Sequence, residues 1–427
     1  MRRRAQFLLL VALAALLGGC TTRERSNPLD PRNSQTQGGL VGFNAIGADG
    51  IVEFRWPPLL VQGVLGYRVQ RWAPGGSPQD LGTSDYHFDA TAGEDSSVTN
   101  DSTYVYRLIA HLESGDSAVS APDTVTPGTR IIYALAAGTP SFLRLSSDAR
   151  DVLFERAAFE SYLDMEIDRR TGLVWLSAEG AGNVIRKSPD GATVGAVLDV
   201  GSPGDLSVSS NRGIGWVVSL TGGNVISYGP DINNPAPQRS IGDVLHPRVV
   251  EAGSADLSVW VGNEEGAVYR FRAQDLVQTH QWALGAGLIR AIALDEATGA
   301  AWAATRAGDV GSLYYLDPAD SSFTLVRPNL VNVADIAVDA GSGDLWISER
   351  GLPGQGAGRL TLITRSGTLL ASLTGIEPYG IDLDPGDGTC WVTDLRSARV
   401  LHVDRLGRTI RVSPVLQTPY AVRVYLP

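Results

Sequence analysis

Residues 378–407 read PYGIDLDPGDGTCWVTDLRSARVLHVDRLG, and the fold follows from how often that pattern returns. Ile381 and Leu383 alternate with Asp382, as a strand with one apolar face requires. A Gly-rich turn follows, and the next strand carries Trp391. Five further Trp residues, at 175, 216, 260, 302 and 346, precede it at spacings of 41, 44, 42, 44 and 45. Ten positions before each Trp lie Met165, Leu206, Val250, Ile292, Ile336 and Ile381. Eight before lie Ile167, Val208, Ala252, Leu294, Val338 and Leu383. Gly172, Gly213, Gly299, Gly343 and Gly388 stand three before their Trp, and Leu257 alone breaks the series. A period of about 40–45 residues, each unit holding short strands, predicts the four-stranded blades of a β-propeller.

The ends of the repeat set the blade count. Tyr133 lies 42 residues before Trp175, within Ile131-Ile132-Tyr133-Ala134-Leu135, in a unit that lacks a first strand of its own. Pro419-Tyr420-Ala421-Val422-Arg423-Val424 copies Pro378-Tyr379-Gly380-Ile381-Asp382-Leu383, and can complete that unit. This closure predicts seven blades, with a six-bladed ring and irregular flanking strands as the alternative. The 378–407 segment closely resembles an NHL repeat. The resemblance covers residues 130–427 and extends to the regucalcin/gluconolactonase and virginiamycin B lyase groups. It implies a fold; propellers host many activities.

Upstream, Ile51-Val52-Glu53-Phe54-Arg55-Trp56 alternates apolar and polar residues and stops at Pro57-Pro58. Gly66 to Arg71 and Thr103 to Ala110 repeat the alternation. Trp56, Tyr67, Tyr104, Tyr106 and Ser117 to Ser120 follow the order of a fibronectin type III module, which residues 39–128 resemble. The resemblance implies an all-β sandwich with Trp56 and Tyr106 as core anchors.

The first residues read as an address. Arg2, Arg3 and Arg4 precede an apolar run from Ala5 to Leu17 of signal-peptide length. Leu17-Gly18-Gly19-Cys20 resembles the lipobox of bacterial lipoproteins, which implies removal of 1–19 and lipidation of Cys20. Thr21 in place of Asp implies, by resemblance to Gram-negative sorting rules, the outer membrane. Residues 20–38, polar and rich in Pro and Asn, read as a flexible tether. With Cys20 lipidated, Cys390 has no partner for a disulfide and reads as a buried thiol beside Trp391. No later stretch approaches the ~18 apolar residues that span a bilayer. The formal net charge of −11 argues against nucleic acid as a partner.

Within the repeat, Asp164, Asp205 and Asp335 share one register, eleven before their Trp. Three such carboxylates near a propeller axis could coordinate a hard cation such as Ca²⁺; alternatively they bond backbone amides or cap turns. Arg248, Arg290, Tyr379 and Tyr420 share the neighbouring register, with Glu160 and His246 upstream. The three aspartates with Arg248, Arg290, Tyr379 and Tyr420 form the candidate ligand-binding face. Glu179, Glu264, Arg306, Glu349, Arg350 and Asp394 follow the Trp strands at the same end and read as surface charge. Asp168, Asp295, Asp339 and Asp384, seven before each Trp, belong to the turns.

The five His residues, at 87, 111, 246, 280 and 402, show no metal-ligand spacing. No Gly-x-Ser-x-Gly elbow or phosphate-cradling Gly-rich loop followed by Lys is present. The sequence therefore reads as a membrane-anchored recognition or scaffolding protein for a protein, peptide or glycan, with no catalytic residues assigned. A metal-dependent hydrolase or lyase of the gluconolactonase or virginiamycin B lyase type is the alternative that the resemblance implies.

Overall fold

A computed structural model of the chain describes residues 27–59, 61–82, 85–157, 161–209, 211–285, 287–352 and 358–427. The 1–19 segment, Cys20, Glu160 and residues 353–357 lie outside the described residues. The chain divides into two compact units, one ending at Pro127 and the other beginning at Gly128. Both are built from strands. Among the described residues no helix is long and apolar enough to cross a membrane.

In the first unit, Asn44–Ala48, Ile51–Arg55 and Ala92–Asp95 form one antiparallel sheet. Val64–Trp72 and Tyr104–Leu112 are the long central pair of the other, with Gln79–Asp80, Tyr86–His87, Ser117–Val119 and Asp123–Val125 around them. Alternation turns Val52 and Phe54 of the first sheet, and Tyr67, Val69, Tyr106 and Leu108 of the second, into a shared core. Trp56 packs on Tyr67, ring centroids 5.6 Å apart. Buried Tyr106 satisfies its hydroxyl on Asp95 at 2.8 Å, and Arg71 pairs with the same carboxylate at 2.7 Å. Residues 27–38 form successive turns, with Asp30 N donating to Asn27 O and Asn33 N to Asp30 O. Leu29 packs on the core.

The second unit contains seven four-stranded antiparallel sheets among the described residues. Six are contiguous in sequence, from Tyr162–Asp168 to Thr409–Val412. The seventh joins Ile131–Ala136, Ser141–Leu145 and Val152–Ala157 to the C-terminal strand Pro419–Tyr425, with Ala134 opposite Val422. Seven first strands line the axis: Tyr162–Asp168, Pro203–Ser209, Pro247–Ala252, Leu288–Asp295, Val333–Val338, Pro378–Leu383 and Pro419–Tyr425. Each touches the next and the last touches the first, so the ring closes.

Between sheets the packing is aromatic. All six repeat Trp residues are at most 2% exposed. Trp175 leans on the following sheet, where a Cβ at Gly215 would stand 2.5 Å from its ring. The turn glycines three before each Trp have φ of 63–73°, which is why the repeat selects Gly there. Leu257 adopts φ 54° at the same position. Cys390 is buried and free, and burial pushes its thiol well above the usual range.

Candidate functional site at the mouth of the channel

All seven axial strands break register at one repeat position, where one extra residue enters the strand. Leu163, Arg248, Arg290, Ala334 and Tyr420 stand unpaired there, and in the other two strands Gly204–Asp205 and Tyr379–Gly380 stand opposite a single residue. A bulge re-aims a side chain out of the pleat, and the shift recurs in all seven axial strands, although Gly204 has no side chain to re-aim. These residues line a cavity of about 1320 Å³ that all seven axial strands share. Arg248, Arg290, Tyr379 and Tyr420, selected from sequence, thus come together on one rim.

The neighbouring register behaves differently. Asp164 Oδ2 accepts the amide of Leu206 on the next axial strand at 3.0 Å. Asp205 Oδ2 accepts that of Val250 at 2.8 Å, and Asp335 Oδ2 that of Ile381 at 3.0 Å. Each carboxylate staples its strand to the following one. A second tier lies two residues further along. Asp382 accepts the amide of Val424 at 2.7 Å, and Ser207 Oγ that of Ala252 at 3.0 Å.

The second tier also holds Glu166, Glu251 and Arg423, none of which the sequence reading singled out. The signal was present, since they alternate with the aspartate register on strands whose other face is apolar. Arg423 pairs with Glu166 at 3.0 Å and Asp164 at 3.5 Å. Burial alone would lower its guanidinium, but the carboxylates around it, Glu166 foremost, hold it well above its usual range. Burial raises the carboxyls of Asp164, Asp382 and, further, Glu251. For Asp205 the charge of Asp164 adds to burial, and Asp335 is pushed up to about 6. The physical cause is shared: the groups sit deep in the ring, lining the cavity, where burial disfavours the charged carboxylate.

Charged residues following the Trp strands are mostly paired. Glu349 takes two bonds from Arg359, at 2.6 and 2.9 Å, Arg350 pairs with Glu377 at 2.6 Å, and Glu264 faces Arg248 at 3.6 Å. His246 pairs with Glu265 at 2.6 Å on the surface. The turn aspartates latch neighbouring sheets: Asp295 to Arg365 at 2.5 Å, Asp339 to Arg405, and Asp384 to Arg130.

Asp384, Asp387 and His402 each place a ligand atom within 4.8 Å of the others, the one such group among the described residues. Asp164, Asp205 and Asp335 are not drawn together in that way. The Asp384 group is already engaged. Arg130 pairs with Asp384, and the Thr389 hydroxyl joins Asp387 to His402 Nε2, at 2.5 Å each. The His402 ring lies flat on Trp391, centroids 4.0 Å apart, and burial pushes its pKa down to about 3. It acts as a neutral lid on the tryptophan.

A closed ring of four-stranded sheets around a polar channel defines the second unit as a β-propeller. No family model matches the sequence, and no curated protein matches it. Solved structures are similar in fold. Hydrazine synthase from Kuenenia stuttgartiensis aligns at 14% identity over 56% of this chain and 76% of its own, with a TM-score of 0.50. A functionally unknown protein from Desulfotomaculum acetoxidans DSM 771 aligns at 13% identity over 70% of this chain and 99% of its own, with a TM-score of 0.56. A chain of a nidogen/laminin complex aligns at 13% identity over 70% of this chain and 98% of its own, with a TM-score of 0.45. At these identities the likeness concerns architecture.

Proposed function

We propose that this protein is an envelope-anchored recognition module, lipidated at Cys20 and directed to the outer membrane. A fibronectin type III-like spacer would carry the propeller, whose bulged rim binds a protein, peptide or glycan. The observation that carries this reading is the division of labour along the axial strands. The carboxylates that could serve catalysis are engaged as acceptors for neighbouring backbone amides, whereas the rim presents guanidinium and phenol groups to an open cavity. A wide mouth with a few convergent polar groups suits ligand binding.

The reading is tested by binding of the full chain to peptide and glycan arrays, beside a Leu163→Trp variant. Leu163 is 38% exposed on the rim, so a larger ring there narrows the mouth at little cost to folding. Binding lost in that variant supports rim recognition, and binding unaffected by it places recognition elsewhere. Calorimetric titration with Ca²⁺, beside an Asp164/Asp205/Asp335→Asn variant, covers the metal alternative. Saturable binding that the variant loses would favour the alternative hydrolase or lyase reading.

A further inference from the structure

The seven rim positions are unequal, and that inequality identifies what the mouth is built to hold. Leu163, Gly204 and Ala334 bring no charge. Tyr420 spends its hydroxyl on the carbonyl of Tyr162. Arg248 faces Glu264 at 3.6 Å, both side chains about half exposed. Arg290 is different. Among the described residues it makes no ion pair, and its one side-chain hydrogen bond runs from Nη2 to Tyr379 Oη at 3.4 Å.

Its guanidinium also lies over the Tyr379 ring, 5.7 Å from the centroid. The two residues come from sheets that flank the one bearing Ala334, whose methyl leaves the span between them open. Arg350 approaches the same ring at 5.2 Å but is neutralised by Glu377. Arg306 lines the same cavity, and its one side-chain hydrogen bond among the described residues, from Nε, goes to the carbonyl of Gly308 at 2.8 Å. In a chain of net charge −11, two guanidinium groups without an ion-pair partner among the described residues therefore line one cavity.

We infer that Arg290 and Arg306 form an oxyanion subsite, which receives a carboxylate or phosphate group of the ligand. A planar guanidinium presents paired N–H donors that match either group, and a fork held against an aromatic ring loses less freedom on binding. Asp205 and Asp335, whose carboxylates accept backbone amides of the next axial strands, line the same cavity. The inference rests on rim recognition and names the chemistry that the rim selects.

The test is calorimetry of the full chain, at low ionic strength, with glucuronate, glucose 6-phosphate and glucose. These probes share a pyranose ring and differ in the charged group. Saturable binding of either anion without binding of glucose is expected, and the anion that binds tells carboxylate from phosphate. Arg290→Gln should weaken that binding about tenfold or more at an unchanged melting temperature. Glu264→Gln, which releases Arg248, should strengthen it. The subsite is overturned by absence of anion binding up to about 10 mM, by equal affinity for glucose, or by unchanged affinity in Arg290→Gln. Array binding of a neutral ligand blocked by Leu163→Trp would likewise overturn the subsite, while leaving rim recognition standing.

Discussion

Arg423, on the last strand of the chain, donates its Nε–H to Oε2 of Glu166 at 3.0 Å across 257 residues of sequence. The strand that closes the ring by backbone pairing to Ile131–Ala136 is thus also tied by charge to the next axial strand. Closure is a ladder on one side and an ion pair on the other.

Replacing Arg423 with Gln leaves the half-buried Glu166 and Asp164 without their cation. Breaking one partner of a fully buried pair costs about 3–5 kcal/mol, and at this partial burial a smaller loss is expected, read as a fall in the chemical-denaturation midpoint. A double-mutant cycle with Glu166→Gln should show coupling of more than about 0.5 kcal/mol. Additive single variants would mean that the pair does not latch the ring.

Burial pushes the Asp335 carboxyl up to about 6, against an ordinary value of 3.8. A carboxyl raised on folding binds more protons folded than unfolded between those values. Its contribution is complete below its ordinary pKa and is lost as the pH climbs through the raised one. Asp335→Asn keeps an oxygen for the Ile381 amide, gives up the one that accepts the Ile336 amide at 2.9 Å, and cannot titrate. Urea midpoints followed from about pH 4 to 8 should therefore vary less with pH in the variant. An unchanged slope would remove Asp335 from the pH response.

Gly215 gives up a side chain so that Trp175 can reach the next sheet. An added Cβ would stand 2.5 Å from that ring, closer than any real contact. Gly215→Ala should destabilise the propeller by about 1–3 kcal/mol, the usual cost of overpacking. A melting temperature equal to that of the parent would show that the ring moves aside freely.

Leu257 occupies the turn position that five other repeats give to Gly, at φ 54°. A Cβ in that conformation costs roughly 1–2 kcal/mol. Leu257→Gly should therefore raise stability by about 1 kcal/mol, after loss of the leucine's partial burial. A lower midpoint would show that its packing outweighs the strain.

Much of the fold was legible because the repeat is local. The Trp spacing, the alternating pairs at ten and eight before each Trp, and the Gly three before it each report a strand or a turn a few residues long. Closure was legible too, since Pro419 to Val424 copies Pro378 to Leu383. The rim register could be read from aligned repeats, which is how Arg248, Arg290, Tyr379 and Tyr420 were found together. Glu166, Glu251 and Arg423 were missed because a polar residue alternating with another looks like a solvated face until the strands are known to surround a channel.

By itself, then, the sequence determined the β architecture, the repeat length and the strand that completes the ring, because hydrophobic period, turn chemistry and repetition are properties of neighbouring residues. What each charged side chain does was decided by tertiary structure. Asp164 and Arg290 stand one register apart in the repeat, yet one staples a backbone amide and the other keeps its guanidinium free of carboxylates. The bulge re-aims one side chain and leaves the other in the pleat, and the partner each meets lies on strands brought alongside only when the ring closes.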